Sequence, residues 1–204
     1  RAIISACEGK SAALQDLDIR SSSNPAFLQA TGTGTDNVMV VEGRGRTVKN
    51  AGGHSKLGEL IARAVYDGVV EAVRRQNALY DKRSIFQRLQ ERQIAIYEFL
   101  KACRLKKGVL VSTLLAPVEG LLLDQYYAAF VESSLVLSDA WQRGQVVSLE
   151  GFRDRSLQIA SKIAGRPLQT LSPIYCGSEL PDPLRLALEA LVYGVVERRQ
   201  MSFD

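Results

Sequence analysis

Histidine is almost absent from this chain: of 204 residues, His54 alone carries an imidazole. Cysteine is scarce too. Cys7, Cys103 and Cys176 lie far apart, with no CxxC pair and no cysteine–histidine cluster. That argues against a structural zinc site and predicts that the protein holds no metal of its own. Dispersed thiols in odd number suit a reducing compartment, so the expected setting is cytoplasmic. The start, Arg-Ala-Ile-Ile-Ser-Ala, has neither Met nor a visible leader, and it reads as a processed chain or part of a longer one. A long clean apolar run is also missing. Val109–Leu137 is interrupted by Pro117, Glu119, Asp124, Gln125 and Glu132, which makes it a poor membrane span and a good soluble core. Excess charge is missing as well. The chain has 26 Lys+Arg against 22 Asp+Glu, a net charge of +4 shared evenly about Tyr80, so no basic arm points to nucleic acid.

What is present is an ordinary globular balance, 46% hydrophobic and 24% charged. The pattern predicts a helix over Ala2–Leu17, a turn-rich loop over Arg20–Pro25, and two apolar runs of strand character, Phe27–Ala30 and Val38–Val41. A second helix is expected from Lys56 to Gln76, with Ser55 as its cap. Beyond Tyr80 the reading is helical throughout: Ser84–Leu105, then Val118–Arg143 with Pro117 at its first turn, Ser148–Ala164 and Pro183–Arg199. Val109–Leu115 fits a short buried strand or a helix start. The expected fold class is therefore α+β in the N-terminal part (helix, strand pair, helix) followed by an all-α region, predominantly helical overall. The expected domains are 1–80 and 81–204. Two strands alone make no stable sheet, so partners are expected from upstream sequence, from another subunit in a homo-oligomer, or from a third strand near Val109–Leu114. Tyr66–Glu71 is echoed by Val192–Glu197, and both are followed within a few residues by Arg-Arg-Gln, a likeness too short to establish a repeat.

The polar clusters of the first 56 residues carry the candidate chemistry. They are Glu8/Lys10, Thr31–Asn37, Arg44/Arg46 and His54/Lys56. Loops rich in glycine surround two of them, and loops are where sites are commonly built. His54 is the side chain suited to proton transfer near neutral pH, and Asp36 could orient it or hold a substrate donor. The bland readings carry comparable weight: a histidine before a helix is often a loop residue, and Glu8/Lys10 at i,i+2 do not share a helical face. Thr31–Asp36 has neither the GxxxxGK[ST] nor the GxGxxG spacing of a nucleotide loop.

Three segments, in order, nevertheless resemble one family. Ala6–Leu14 (ACEGKSAAL) is similar to the "TEAKT-x-AL" segment of the adenosylcobinamide amidohydrolases, Ala30–Val41 to their "ATGTGTD" stretch, and Ala51–Arg63 (AGGHSKLGELIAR) to their "AGxHxxLGxLI" loop and helix. The resemblance covers about residues 1–76. The family's earlier portion, ending in a "GTIN"-like motif, has no counterpart here, and Cys7 and Gly9 stand where the family has Thr and Ala. The resemblance implies hydrolysis of adenosylcobinamide to adenosylcobyric acid and aminopropanol in corrinoid salvage. The corrinoid is then the small-molecule partner, its cobalt belongs to the substrate, and no cofactor is held by protein ligands. Catalytic candidates are His54, Asp36 and Glu8. Substrate-binding candidates are Lys10, Thr31, Thr33, Thr35, Asn37, Gly52, Gly53 and Lys56. Two other classes compete: a corrinoid-binding module without catalysis, and a helical interaction protein acting through Ser84–Asp204. No nucleic-acid or membrane partner is expected.

Overall fold

The computed structural model describes residues 1–32, 36–41, 43–77, 82–105 and 108–200. Among these residues the chain is all-helical. The helices are α1 (Ala2–Asp16), α2 (Lys56–Asn77), α3 (Ile85–Glu91), α4 (Ile96–Lys101), α5 (Val111–Leu123), α6 (Gln125–Gln142), α7 (Glu150–Ala164) and α8 (Asp182–Gln200). The chain divides into two compact units, Arg1–Arg83 and Ser84–Asp204.

The expected α+β character of the first part is overturned: no strand forms among the described residues, and the only β-type pairings there are the isolated bridges Arg20–Gln29 and Cys103–Tyr175. A strand is held by lateral hydrogen bonds, and the two apolar runs never exchange any. Phe27 and Leu28 instead close a turn onto the Asn24 carbonyl, and Ala30 donates to Ile19. Val38–Val41 runs exposed and bonds to no other described residue through its backbone. The third-strand candidate is also helical, entering α5 at Val111.

In the first unit α1 and α2 pack as a pair. The contact stripe of α1 is Ser5, Ala6, Gly9 and Ala13, all small and buried. A Cβ at Gly9 would collide with the Ala62 carbonyl of α2, so glycine sets how closely the two helices approach. After α1 the chain turns at Asp18, whose positive φ is held by carboxylate bonds from Arg20 (2.8 Å) and Gln29 (2.7 Å). A fully buried Val, Leu or Ile contributes about 1.5–3 kcal/mol. The first unit collects little of this: among its described residues the buried apolar side chains are Ala6 and Ala13.

The second unit is built around α8, which packs on α5, α6 and α7. Leu184, Leu188, Leu191 and Val192 are buried along it. Gly194 admits α7, since a Cβ there would stand 2.7 Å from Ile163 Cβ and 2.8 Å from the Ala160 carbonyl oxygen. Buried charges in this unit are compensated. Glu189 accepts from the Ile174 and Tyr175 amides (2.9 and 2.8 Å) and from Arg185 (3.2 Å), and Arg92 reaches Asp139 at 3.3 Å.

Two expected helices are broken. Ser84 caps α3 with a full capping box, but the helix stops at Arg92, and Gln93 takes φ +57. The turn buries Ile94 and Ile96 while Arg92 keeps its ion pair. Val118–Arg143 is divided at Asp124, whose carboxylate accepts from the Tyr126 amide at 2.8 Å and starts α6 afresh. Pro117 lies inside α5 rather than at a first turn. By contrast α7 ends where expected, on Gly165 in the left-handed conformation.

Two stability predictions follow from this packing. Gly194→Ala should cost about 1–3 kcal/mol by overpacking α7 against α8. Gly120→Ala, in open space on α5, should gain about 0.5–1 kcal/mol from helix propensity. Urea unfolding followed by Trp141 fluorescence checks both. Burial pushes the Cys103 thiol up to about 12 from an ordinary 9.0. A raised acid contributes stability that is complete below its unfolded pKa and declines progressively as pH rises from there toward the folded value. The unfolding midpoint of the wild type should therefore fall relative to Cys103→Ala as pH rises from about 8 to about 10.5.

Candidate functional site

The candidate residues gather on α1 through two loops docked against it. The loop 50–55 is anchored first by small-residue packing. A Cβ at Gly58 would strike the Gly52 and Ala51 carbonyls, so the loop rests directly on the first turn of α2. Ser55 locks it: its hydroxyl donates to the Gly52 carbonyl at 2.8 Å and accepts from the Gly58 amide at 3.1 Å. Ser5 of α1 donates to the Ala51 carbonyl at 3.0 Å. Asn50 accepts from the Gly52 amide at 3.0 Å and from Arg1 at 3.4 Å. This geometry brings Glu8 to the loop, its carboxylate 3.9 Å from where a Gly53 Cβ would stand.

The second loop docks on the other flank. Ser11 donates to the Thr31 carbonyl at 3.0 Å, and Lys10 forms an ion pair with Asp36. That pair lies directly over Gly32, where a Cβ would come within 2.6 Å of both the Lys10 ammonium and the Asp36 carboxylate. A side chain at Gly32 would displace this pair rather than meet backbone. Glu8 and Lys10, two residues apart, thus face different loops, as their i,i+2 spacing implies.

The structure brings together Glu8 with Gly53, and Lys10 with Asp36 and Gly32, while Thr31 is held by Ser11. His54 stands exposed on the 50–55 loop, and no hydrogen bond joins it to Asp36 or Glu8 among the described residues. Asp36 therefore does not orient His54; it is engaged by Lys10 instead. Lys56 pairs with Glu59 at 2.9 Å, an exposed i,i+3 pair that holds the Glu59 carboxyl below its usual range. Asn37 is exposed. Thr33 and Thr35 lie outside the described residues. Gly52 has its amide occupied by Asn50, whereas the Gly53 amide meets no acceptor among the described residues. Among those residues no group of three His, Cys, Asp or Glu is placed to hold a metal ion. None of the described helices is long and apolar enough to cross a membrane.

Sequence reasoning passed over the residues that hold the loops: Ser5, Ser11, Asn50 and Gly58. Their signal was weak, since serines inside a helix read as neutral and only a contact reveals what they bind. Between α1 and α2 an open groove of about 590 Å³ is floored by Gly9, Ala12 and Ala62 and edged by Glu8, Arg63 and Asp67. At its far end Tyr66 donates to Asp16 at 2.9 Å, and this bond raises the Tyr66 phenol above its ordinary value.

Comparison with known proteins finds a likeness over the same unit. A model of the adenosylcobinamide amidohydrolase family matches residues 1–81, the stretch that holds both loops and both helices. An uncharacterized protein of Methanocaldococcus jannaschii is 53% identical over 79 residues, which are 39% of this chain and 31% of that relative. The chain thus spans under a third of the relative it matches. No solved structure matches the chain.

If Ser55 anchors the loop as described, Ser55→Ala should cost about 1 kcal/mol of helix stability. It should also speed hydrogen exchange at the Gly58 amide, measured by NMR or mass spectrometry. An unchanged Gly58 exchange rate would contradict the cap.

Proposed function

We propose that residues 1–83 contribute the catalytic loops of an amide hydrolysis that converts adenosylcobinamide and water to adenosylcobyric acid and aminopropanol. The observation that carries this reading is the docking of both glycine-rich loops on the same stretch of α1, inside the segment that matches the amidohydrolase family. In this arrangement His54 acts as the general base that takes a proton from water and, as the C–N bond breaks, returns it to the leaving nitrogen. The Gly53 amide, which meets no acceptor among the described residues, donates to the oxyanion that forms at the attacked carbonyl. Glu8, beside Gly53, receives the leaving amine as its ammonium. Lys10 and Asp36 act by position: their ion pair ties Asp36 to α1, and Thr31 and Asn37 offer polar groups to the corrin side chains. Cobalt enters only as part of the substrate.

The protonation chemistry places a specific demand on the variants. Removing a general base costs about 100- to 10,000-fold in rate. His54→Ala and Glu8→Ala should each lower the rate of aminopropanol release by at least about 10-fold, with His54→Ala the larger loss. Lys10→Met should weaken substrate binding more than turnover. Release is followed by mass spectrometry of both products. Wild-type rates in His54→Ala and Glu8→Ala would remove the assignment. Tight corrinoid binding without aminopropanol would favour a binding module instead.

A further inference from the structure

Helix α8 ends on two arginines that its own sequence leaves without a partner. In α2 the stretch Gly-Val-Val-Glu is separated from Arg74 and Arg75 by Ala72 and Val73, and Glu71 takes Arg75 at 2.6 Å. In α8 the same four residues run straight into Arg198 and Arg199. Glu197 is then one and two positions away, a spacing that shares no helical face, and Arg166 engages it instead. Three and four positions back lie Gly194, Val195 and Val196, none with a side-chain acceptor. Neither Arg198 nor Arg199 makes an ion pair or a side-chain hydrogen bond among the described residues. The helix dipole accounts for cations at a C-terminus. It does not account for what these two border, a pocket of about 330 Å³ between α5, α7 and α8. Ile163 and Val195, 4 and 6% exposed, line it together with Leu121. On the α5 side Gly120 contributes no side chain, and a Cβ there would meet nothing within 4 Å.

We propose that this pocket binds a small phosphate monoester with a short apolar body, its phosphate held by Arg198 and Arg199 and its body against Leu121, Ile163 and Val195. Charge selects the head. Two guanidiniums match a phosphate monoester, which carries about −1.5 to −2 at pH 7, whereas a carboxylate would neutralise one of them. Guanidinium forks also hold phosphate oxygens through paired, charge-assisted hydrogen bonds. A third cation adds to the same field: Lys162, next to Ile163 on α7, stands 3.7 Å from the centre of the Tyr126 ring and meets no carboxylate among the described residues. The lining selects the body. Leu121, Ile163 and Val195 offer no hydrogen bond to a hydroxyl, so an aliphatic group fits and a sugar does not. Small-molecule sites span about 300–1,000 Å³, and this pocket is at the lower end, so the body is short. The site lies wholly in the second unit, and the proposal does not depend on the amidase reading of the first.

The test titrates the full 204-residue chain with hexyl phosphate by calorimetry, beside inorganic phosphate, hexanoate and hexanol. The expected result is a single site per chain, with hexyl phosphate at least about 10-fold tighter than each of the other three. Arg198→Gln and Arg199→Gln should each weaken it at least about 10-fold. Arg104→Gln, at an exposed arginine outside the pocket, should leave it unchanged. Gly120→Leu should fill the pocket and abolish binding, with a urea unfolding curve showing that the variant stays folded. Removing residues 201–204 should leave the affinity unchanged, and a gain in affinity would assign the pocket to those residues and overturn the proposal. Sedimentation with phosphatidate-containing vesicles separates a soluble ligand from a lipid headgroup, and the chain should not co-sediment. Equal affinity for inorganic phosphate, for hexanoate or for hexanol would each overturn the proposal. So would unchanged binding by either arginine variant or by folded Gly120→Leu, or capture by the vesicles without binding of hexyl phosphate.

Discussion

The approach of two backbones sets the geometry of the first unit. Gly9 lets α1 rest on the Ala62 carbonyl of α2, and Gly58, one turn earlier on the same face, lets the 50–55 loop rest on α2. Each contact places polar backbone where a side chain would otherwise stand. The positions of Glu8, Lys10 and Ser5 follow from this, because all three are carried on one rigid helix with its depth fixed by Gly9. A larger residue at Gly9 would move these three at once relative to both loops. The small buried stripe of α1 therefore acts as a positioning device more than as a hydrophobic core. Its gain in apolar burial is slight, but it specifies distance.

The second unit depends on the opposite principle. Its centre is apolar and close-packed, and its buried charges are each met by a definite partner. Glu189 illustrates this: a buried carboxylate is costly alone, and here two backbone amides and Arg185 compensate it. The same carboxylate pins 174–175 beside Cys103, where Phe99 stacks on Tyr175 at a centroid distance of 5.0 Å. One acidic residue on α8 thus ties the 174–176 segment into the core. Among the described residues nothing comparable holds Val38–Val41 in the first unit.

How much of this was legible depended on whether a signal was local. Helices α1 and α2 were legible because periodicity and the Ser55 cap are local features, and the Ser84 start was legible because a capping box is read over four residues. The breaks at Gln93 and Asp124 were not. No glycine or proline marks either one, and both arise because burying Ile94 or capping with Asp124 outweighs continuing the helix. The strand pair failed for the complementary reason. Phe27–Ala30 and Val38–Val41 have strand composition, but a strand exists only with a partner, and partnership is a tertiary fact.

The candidate site shows the same division between type and relation. Residue types were readable: a sole histidine, a carboxylate on a helix, glycines in loops. Which of them meet was not, except where helical spacing constrains it. The i,i+2 separation of Glu8 and Lys10 required them to point apart, and they do so, one toward Gly53 and the other toward Asp36. Asp36 was placed with His54 on sequence grounds, but an ion pair with Lys10 claims it. Lys10 lies 26 residues away in the chain, and only the docking of the loop by Ser11 brings the two together. This reassigns Asp36 from orienting a base to holding a loop. Under the proposed reading the chemistry falls to the 53–54 segment, where the Glu8 carboxylate of α1 comes up to Gly53 and His54 stands exposed beside it, on two elements whose separation Gly9 and Gly58 fix.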